Sequence, residues 1–271
     1  MKMAVDGMIV PAAGAGMDEL PAGPGVFETL LLQAGEPIFL EDHWARFAAG
    51  CRWYGFEPPA PAEEIGILAG TLAHENAVRA GVLRFAAWRN GQGVTWRMEA
   101  GPPRPHMARR EFRVGLGAAL PTVTADRPFK HLNRGHWLET LRRARLAGWD
   151  EAVFSDPAGQ LVEACVSNVF FVHDGHLQTP SLEVGPLPGI MRGRLLALAR
   201  ERGIQVSEGA YPVGHLAEAS EIWLSNSLIG LRAVTVIEGR QLEPKPRILQ
   251  QIRTEWRATY GWDPVVVAAP S

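Results

Sequence analysis

The feature that most constrains the fold is the repeated change of apolar period along the chain. Short alternating or continuously apolar runs, bounded by Gly, Pro, Asn or Asp, interleave with stretches that are apolar every three or four residues. Residues 4–10 read as a hairpin turning at Asp6-Gly7, residues 26–32 as a buried strand, and residues 37–40 as a second short strand. Asp42 is placed to cap a helix whose stripe is Trp44, Phe47, Cys51 and Tyr54. A second helix begins near Pro61 and carries Ile65, Leu68, Leu72 and Ala73 on one face. Residues 82–89 and 94–99 read as strands around the turn Asn90-Gly91-Gln92-Gly93, and residues 112–120 as another strand.

Residues 121–128 show no period, and the domain boundary is placed there: residues 1–120 form a smaller N-terminal α/β domain and residues 121–271 a larger C-terminal one. A helix is expected from about Asn133 to Leu146 with Trp137, Leu138 and Leu141 buried, then strands at 152–155, 160–163 and 169–173. A helix follows from about Ile190 to Arg202, then strands at 222–225 and 234–237 and an amphipathic helix at 246–260. Strands mixed with helices throughout both parts indicate two α+β domains, not a doubly wound sheet.

Composition excludes several classes of function. A formal net charge of −2 with 21% charged residues gives no footing for general nucleic-acid or membrane-surface binding. The two cysteines, Cys51 and Cys165, lack metal or disulfide-framework spacing, so neither a stapled scaffold nor a metal site is expected. There is no eighteen-residue apolar run and no signal-like N-terminus, so a soluble, cytoplasmic protein is expected. Of the 27 basic residues only three are lysines: Lys2, Lys130 and Lys245. Codon bias accounts for most of that skew, but only Lys130 is flanked by an apolar, motif-like segment.

Five groups of residues could carry chemistry. Lys130, in Phe129-Lys130-His131-Leu132-Asn133, is either a surface lysine at a helix start or a partly desolvated amine of lowered pKa, usable for a Schiff base. Gly189-Ile190-Met191 opens a helix whose free N–H groups suit phosphate, as any helix start does. Ser225-Asn226-Ser227 is either a strand-end turn or a second set of phosphate donors. Arg46 is either solvated or aimed at an anion, and Glu163 needs a cation, whether an arginine or a protonated ring nitrogen. No GxSxG elbow, HExxH pair or strand-preceded GxGxxG is present.

Six segments together resemble the fold-type IV pyridoxal-phosphate enzymes, the class IV aminotransferase family. They are Gly25-Val26-Phe27-Glu28-Thr29, Leu40-Glu41-Asp42-His43-Trp44-Ala45-Arg46, Lys130-His131-Leu132-Asn133-Arg134, residues 161–170 around Glu163, Thr179-Pro180 with Leu187-Pro188-Gly189-Ile190-Met191-Arg192, and Asn226-Ser227-Leu228-Ile229-Gly230. The resemblance implies an α+β, two-domain fold-type IV enzyme whose larger domain is a pseudo-barrel, pyridoxal 5'-phosphate as cofactor, and a homodimer acting on a small amino substrate. It implies Lys130 as the Schiff-base lysine and Glu163 as partner of the pyridine nitrogen. Arg46, Ile190, Met191, Asn226 and Ser227 would bind the cofactor, and Arg134 would contact its ring hydroxyl.

Among the family's branches the segments at 130–134, 189–192 and 226–230, with Thr29, are most similar to the 4-amino-4-deoxychorismate lyases. That similarity implies conversion of 4-amino-4-deoxychorismate to 4-aminobenzoate and pyruvate, a step of folate biosynthesis, with Lys130 and Thr29 catalytic. The alternatives are an aminotransferase acting on D-amino or branched-chain amino acids, and a non-catalytic cofactor-binding protein on this fold. Two departures stand out: Leu20-Pro21-Ala22-Gly23-Pro24-Gly25 replaces the family's usual Asp-Arg-Gly approach to the first segment, and Gly135-His136 follows Asn133-Arg134. Substrate carboxylates would be met by arginines of the first domain, with Arg84, Arg89 and Arg97 as candidates.

Overall fold

The computed structural model describes residues 1–12, 23–91, 93–109, 111–117, 119–120, 129–242 and 246–263. Residues 13–22 and 121–128, Gln92 and Lys245 therefore lie outside the described residues, and with them most of the approach to Gly25 and the stretch expected to hold the domain boundary.

Two compact units form. The first spans Met1–Ala108 and takes back residues 129–134; the second runs from Arg109 and resumes at Gly135. The division thus falls near residue 108, not at 120, because the strand beginning at Glu111 pairs within the second unit's sheet. Residues 129–134 belong to the first unit through backbone bonds: the Phe27 N–H donates to the Lys130 carbonyl (3.0 Å) and the Leu132 N–H to the Gly25 carbonyl (3.0 Å).

In the first unit the elements are β1 (Lys2–Val5), β2 (Met8–Pro11), β3 (Gly25–Gln33), β4 (Glu36–Pro37), α1 (Leu40–Trp53), α2 (Ala62–Glu75), β5 (Ala80–Asn90) and β6 (Gly93–Gly101). The strands make one antiparallel sheet of order β2-β1-β6-β5-β3-β4. The β1–β2 hairpin turns at Asp6 (φ 47°) and Gly7 (φ 84°), as the Asp-Gly pair predicts. Strand parity sends Val26, Leu30 and Leu32 into a core with Phe47, Cys51, Ile65, Leu72, Phe85 and Met98, while Phe27 and Thr29 take the other face. Gly25 is required by close approach: a Cβ there would lie 2.3 Å from the Ala87 carbonyl oxygen and 2.7 Å from Leu132.

Two local expectations are corrected. Of residues 37–40 only Pro37 lies in a strand, β4, since α1 already begins at Leu40, and Asp42 is not its cap. Phe39 precedes the helix in the left-handed region (φ 57°) without a side-chain cap, and Glu41 and Asp42 fall in the first turn, where they complement the helix dipole.

The second unit contains β7 (Glu111–Leu116), α3 (Gly135–Leu146), β8 (Glu151–Ser155), β9 (Leu161–Ala164), β10 (Asn168–His173), β11 (His176–Pro180), α4 (Ile190–Glu201), β12 (Val206–Gly209), β13 (Glu221–Asn226), β14 (Gly230–Ile237), β15 (Arg240–Gln241) and α5 (Arg247–Tyr260). Its sheet runs β12-β11-β10-β13-β14-β7-β8-β9, with β15 beside β14. Its edges curl toward each other. The Leu161 N–H at the β9 edge donates to the Tyr211 carbonyl just beyond β12 (2.7 Å), and Gln160 bridges to Pro212. Leu161, Ala164, Val169, Phe171, Leu224 and Val234 share one core inside the curl. On α3, Leu141 and Ala144 are buried and Trp137 half-buried, but Leu138 is 49% exposed, one position off the buried stripe. Among the described residues no helix is long and apolar enough to cross a membrane.

Candidate active site

In the first unit the chemistry gathers around Lys130. The half-buried ammonium-bearing side chain lies over the Phe27 ring, Nζ to centroid 5.3 Å. Arg84 (5.8 Å) and Arg134 (5.7 Å) are set over the same ring. Burial, reinforced by the Arg46, Arg134 and Arg84 charges and opposed by Glu28, lowers the Lys130 pKa from its usual 10.5 to about 7. At neutral pH much of it is an uncharged amine, the form that attacks a carbonyl.

Glu28 had no assigned role from the sequence. It shares the core-facing parity of Val26 and Leu30 and is fully buried under α1. Its Oε1 accepts Arg46 Nε–H (2.7 Å) and its Oε2 accepts Arg46 Nη2–H (2.8 Å) and His43 Nδ1–H (2.7 Å). Burial alone would raise its pKa, but Arg46 and His43 hold it well below the usual carboxylate range. Burial in turn lowers the His43 pKa against the pull of Glu28. His43 and Arg46 are three apart on α1, which puts both over one strand residue; that spacing opposite a carboxylate of core parity was the available signal. At least two of the five Arg46 N–H groups are spent on Glu28, so the guanidinium is held rigidly rather than solvated.

Thr29 is 5% exposed, and its Oγ1 accepts Arg84 Nε–H at 3.4 Å across the β3–β5 ladder. Of the other arginines considered, Arg89 is spent on the Tyr54 and Gly55 carbonyls, and Arg97 pairs with buried Glu99 (2.8 Å).

In the second unit Glu163 Oε2 accepts the Leu187 N–H (2.9 Å) and Oε1 the Trp137 Nε1–H (3.2 Å). The Trp137 contact was not foreseen from the sequence, which placed that indole in the core. Ile190 and Met191 open α4 after Gly189, with no side chain capping the helix. A Cβ at Gly189 would lie 2.0 Å from Asn168 Oδ1, whose amide in turn donates to the Leu187 carbonyl (2.8 Å).

The Asn226 Nδ2 donates to the Val166 carbonyl (3.1 Å) and Ser167 Oγ (3.0 Å), and its Oδ1 accepts the Leu228 (2.8 Å) and Ile229 (2.9 Å) N–H groups. All four hydrogen-bonding positions of the carboxamide are occupied within the chain, so the side chain shapes the turn. Ser227, half-buried, sits within that turn.

A curled α+β sheet domain following a smaller sheet-and-helix unit, with these residues, defines a fold-type IV enzyme. The sequence matches the family described as amino-transferase class IV over residues 25–237, and the chain belongs to that family. It is 27% identical over 233 residues to the aminodeoxychorismate lyase of Bacillus subtilis (strain 168), covering 80% of this chain and 78% of that one. It is also 27% identical over 256 residues to a putative branched-chain-amino-acid aminotransferase of Methanocaldococcus jannaschii, covering 86% and 88%. A hypothetical aminotransferase from Mycobacterium tuberculosis, solved in a PLP-bound form, superposes with a TM-score of 0.81 at 23% identity, covering 96% and 99%.

The cofactor of the family is pyridoxal 5'-phosphate. Each unit holds residues of a kind that fits it: in the first an amine lowered to about 7, and in the second a carboxylate held by two donors and a helix start without a side-chain cap.

Proposed function

We propose that this protein is a pyridoxal-phosphate-dependent lyase that converts 4-amino-4-deoxychorismate to 4-aminobenzoate and pyruvate. One observation carries the reading: Arg84 and Arg134 flank Lys130 on the Phe27 ring while Arg84 occupies an acceptor position of the Thr29 hydroxyl. Two guanidinium groups suit a substrate with two carboxylates. A threonine that accepts from Arg84 keeps its own proton for donation.

In this reading Lys130 carries the cofactor, Glu163 keeps the ring nitrogen protonated, and Arg46, the Ile190 and Met191 N–H groups and Ser227 hold the phosphate. When bound, the cofactor supplies a sink for the electron pair left when the amine-bearing carbon loses its proton. Lys130, as a neutral amine, takes that proton. Thr29 gives its hydroxyl proton to the departing enolpyruvyl group, which leaves as pyruvate, and formation of the aromatic ring drives the elimination. The product serves folate biosynthesis, and the expected assembly is a cytoplasmic homodimer.

Amino transfer is the second reading. It is favoured by the branched-chain relative, which matches a larger share of the chain than the lyase does. There Lys130 returns the proton to the cofactor side and a keto acid leaves. The test is incubation of the holoenzyme with 4-amino-4-deoxychorismate and chromatography for 4-aminobenzoate. Product formation, with Thr29→Val slowing it at least tenfold while cofactor binding is kept, supports the lyase. No 4-aminobenzoate, with amino transfer from L-valine or D-alanine to 2-oxoglutarate, overturns it.

A further inference from the structure

Beneath the 226–229 turn lies a chain of buried polar groups that the reaction itself does not use. Glu151, the first residue of β8, is 2% exposed. Its Oε2 accepts the Val166 N–H (3.0 Å) and its Oε1 the Ser167 Oγ–H (2.5 Å). Ser167, 4% exposed, has then committed its one proton, so its oxygen can only accept, and it accepts from Asn226 Nδ2 (3.0 Å). The Asn226 carboxamide faces accordingly: nitrogen toward Ser167 and Val166, oxygen toward the N–H groups of Leu228 and Ile229.

The Val166 carbonyl and the Leu228 and Ile229 N–H groups hold the carboxamide in this sense, and Glu151 completes the chain by taking the Ser167 proton and leaving that oxygen to accept. Were the sense reversed, Ser167 would donate to Asn226, the carboxamide would turn over, and its nitrogen would face two backbone donors. The turn carrying Ser227 would lose both of its internal acceptor bonds.

We propose that Glu151 is a positioning residue for cofactor phosphate, acting through Ser167 and Asn226 to hold the turn that presents Ser227. The inference rests on the assignment of Ser227 to the phosphate. Glu151→Gln keeps the side-chain shape but leaves one acceptor oxygen for two donors. Ser167→Ala cuts the chain one step later, and Ser167→Thr restores the hydroxyl.

The experiment measures the affinity of apo-protein for pyridoxal 5'-phosphate and for pyridoxal, which lacks the phosphate, by the near-visible absorbance of the bound ligand. For Glu151→Gln and Ser167→Ala the expected result is a loss of about tenfold for the phosphate ester and less than about twofold for pyridoxal. Ser167→Thr should return the ester's affinity to within about twofold of wild type. Equal weakening toward both ligands in both variants, or an unchanged preference for the ester, overturns the inference while leaving the phosphate assignment standing. A wild-type protein with no preference for the ester overturns the phosphate assignment and the inference with it.

Discussion

Glu28→Gln is the sharpest test of the electrostatic frame around Lys130. The carboxylate is fully buried and accepts three hydrogen bonds of 2.7, 2.7 and 2.8 Å from His43 and Arg46. Charge-assisted bonds contribute roughly 1.5–3 kcal/mol each, but bonds sharing one acceptor group do not add. The appropriate figure is the loss of one partner from a buried pair, about 3–5 kcal/mol, because the Arg46 guanidinium loses the carboxylate that meets both its Nε–H and Nη2–H. Glutamine fills the same volume, so no cavity contributes. At roughly 2–4 °C per kcal/mol for a protein of this size, the apo-protein should melt about 6–20 °C lower at pH 7. Glu28 is held well below the usual carboxylate range when folded, so the stability it supplies is present above the unfolded carboxylate pKa of about 4.3 and is lost as pH falls further. The gap between wild type and variant should widen modestly as pH falls from 8 to about 5, because Glu28 favours protonated Lys130, and should narrow below about 4. The Glu28 charge also raises the Lys130 pKa, so the variant's lysine should become neutral at lower pH than the wild type's. Differential scanning calorimetry across that range measures the gap. A drop of less than about 2 °C at pH 7, or a gap that does not narrow in acid, refutes the argument.

Lys130→Ala should abolish the near-visible absorbance of the purified, cofactor-loaded protein. In the wild type the rate at which apo-protein captures pyridoxal 5'-phosphate should rise through about pH 7 and then level, because burial brings the amine to about 7. The unfolded chain keeps a proton on that lysine up to about pH 10.4, so Lys130 makes apo-protein stability rise with pH between those values, and Lys130→Met should flatten the rise in a chemical-denaturation series. Gly189→Ala puts a methyl group 2.0 Å from Asn168 Oδ1 and should weaken pyridoxal-phosphate affinity about tenfold or more in an equilibrium titration, by displacing the first turn of α4. Glu221→Ala removes the acceptor for the Ile248 and Leu249 N–H groups at the start of α5 and for Trp223 Nε1–H, and should cost about 1–3 kcal/mol in urea unfolding without changing cofactor affinity.

The parts of this molecule that could be read from the sequence are those where one residue's own pattern decides its place. The Asp6-Gly7 turn, the buried strand at residues 26–32 and the start of α4 after Leu187-Pro188-Gly189 are local, and all appear as expected. The misreadings come where a neighbour decides. Asp42 has the chemistry of a cap, yet α1 starts two residues earlier because Phe39 takes a left-handed turn that no propensity favours. β11 (His-Leu-Gln-Thr-Pro) and β12 (Val-Ser-Glu-Gly) hold too few apolar residues to show a strand period, and their places are set by pairing with each other and with β10. Residues 129–134 read as part of the second domain by order, but two backbone bonds to β3 return them to the first unit.

The same distinction separates the residues expected to react from those that hold them. Lys130 and Glu163 stand out because an amine or a carboxylate in an apolar stretch is conspicuous by itself, whereas Thr29 enters only through the family resemblance. Glu28 and Glu151 are equally acidic and more deeply buried than Glu163, but their meaning lies in partners 15 to 18 residues away in one case and 15 to 16 in the other. A buried carboxylate without donors would cost more than a folded domain can spare, so its presence on a core-facing position already demands a set of donors. His43 and Arg46 at helical spacing above β3 answer that demand for Glu28; Val166 and Ser167 after β9 answer it for Glu151. A core-facing position for an acidic residue demands such donors, and that demand points to both sets.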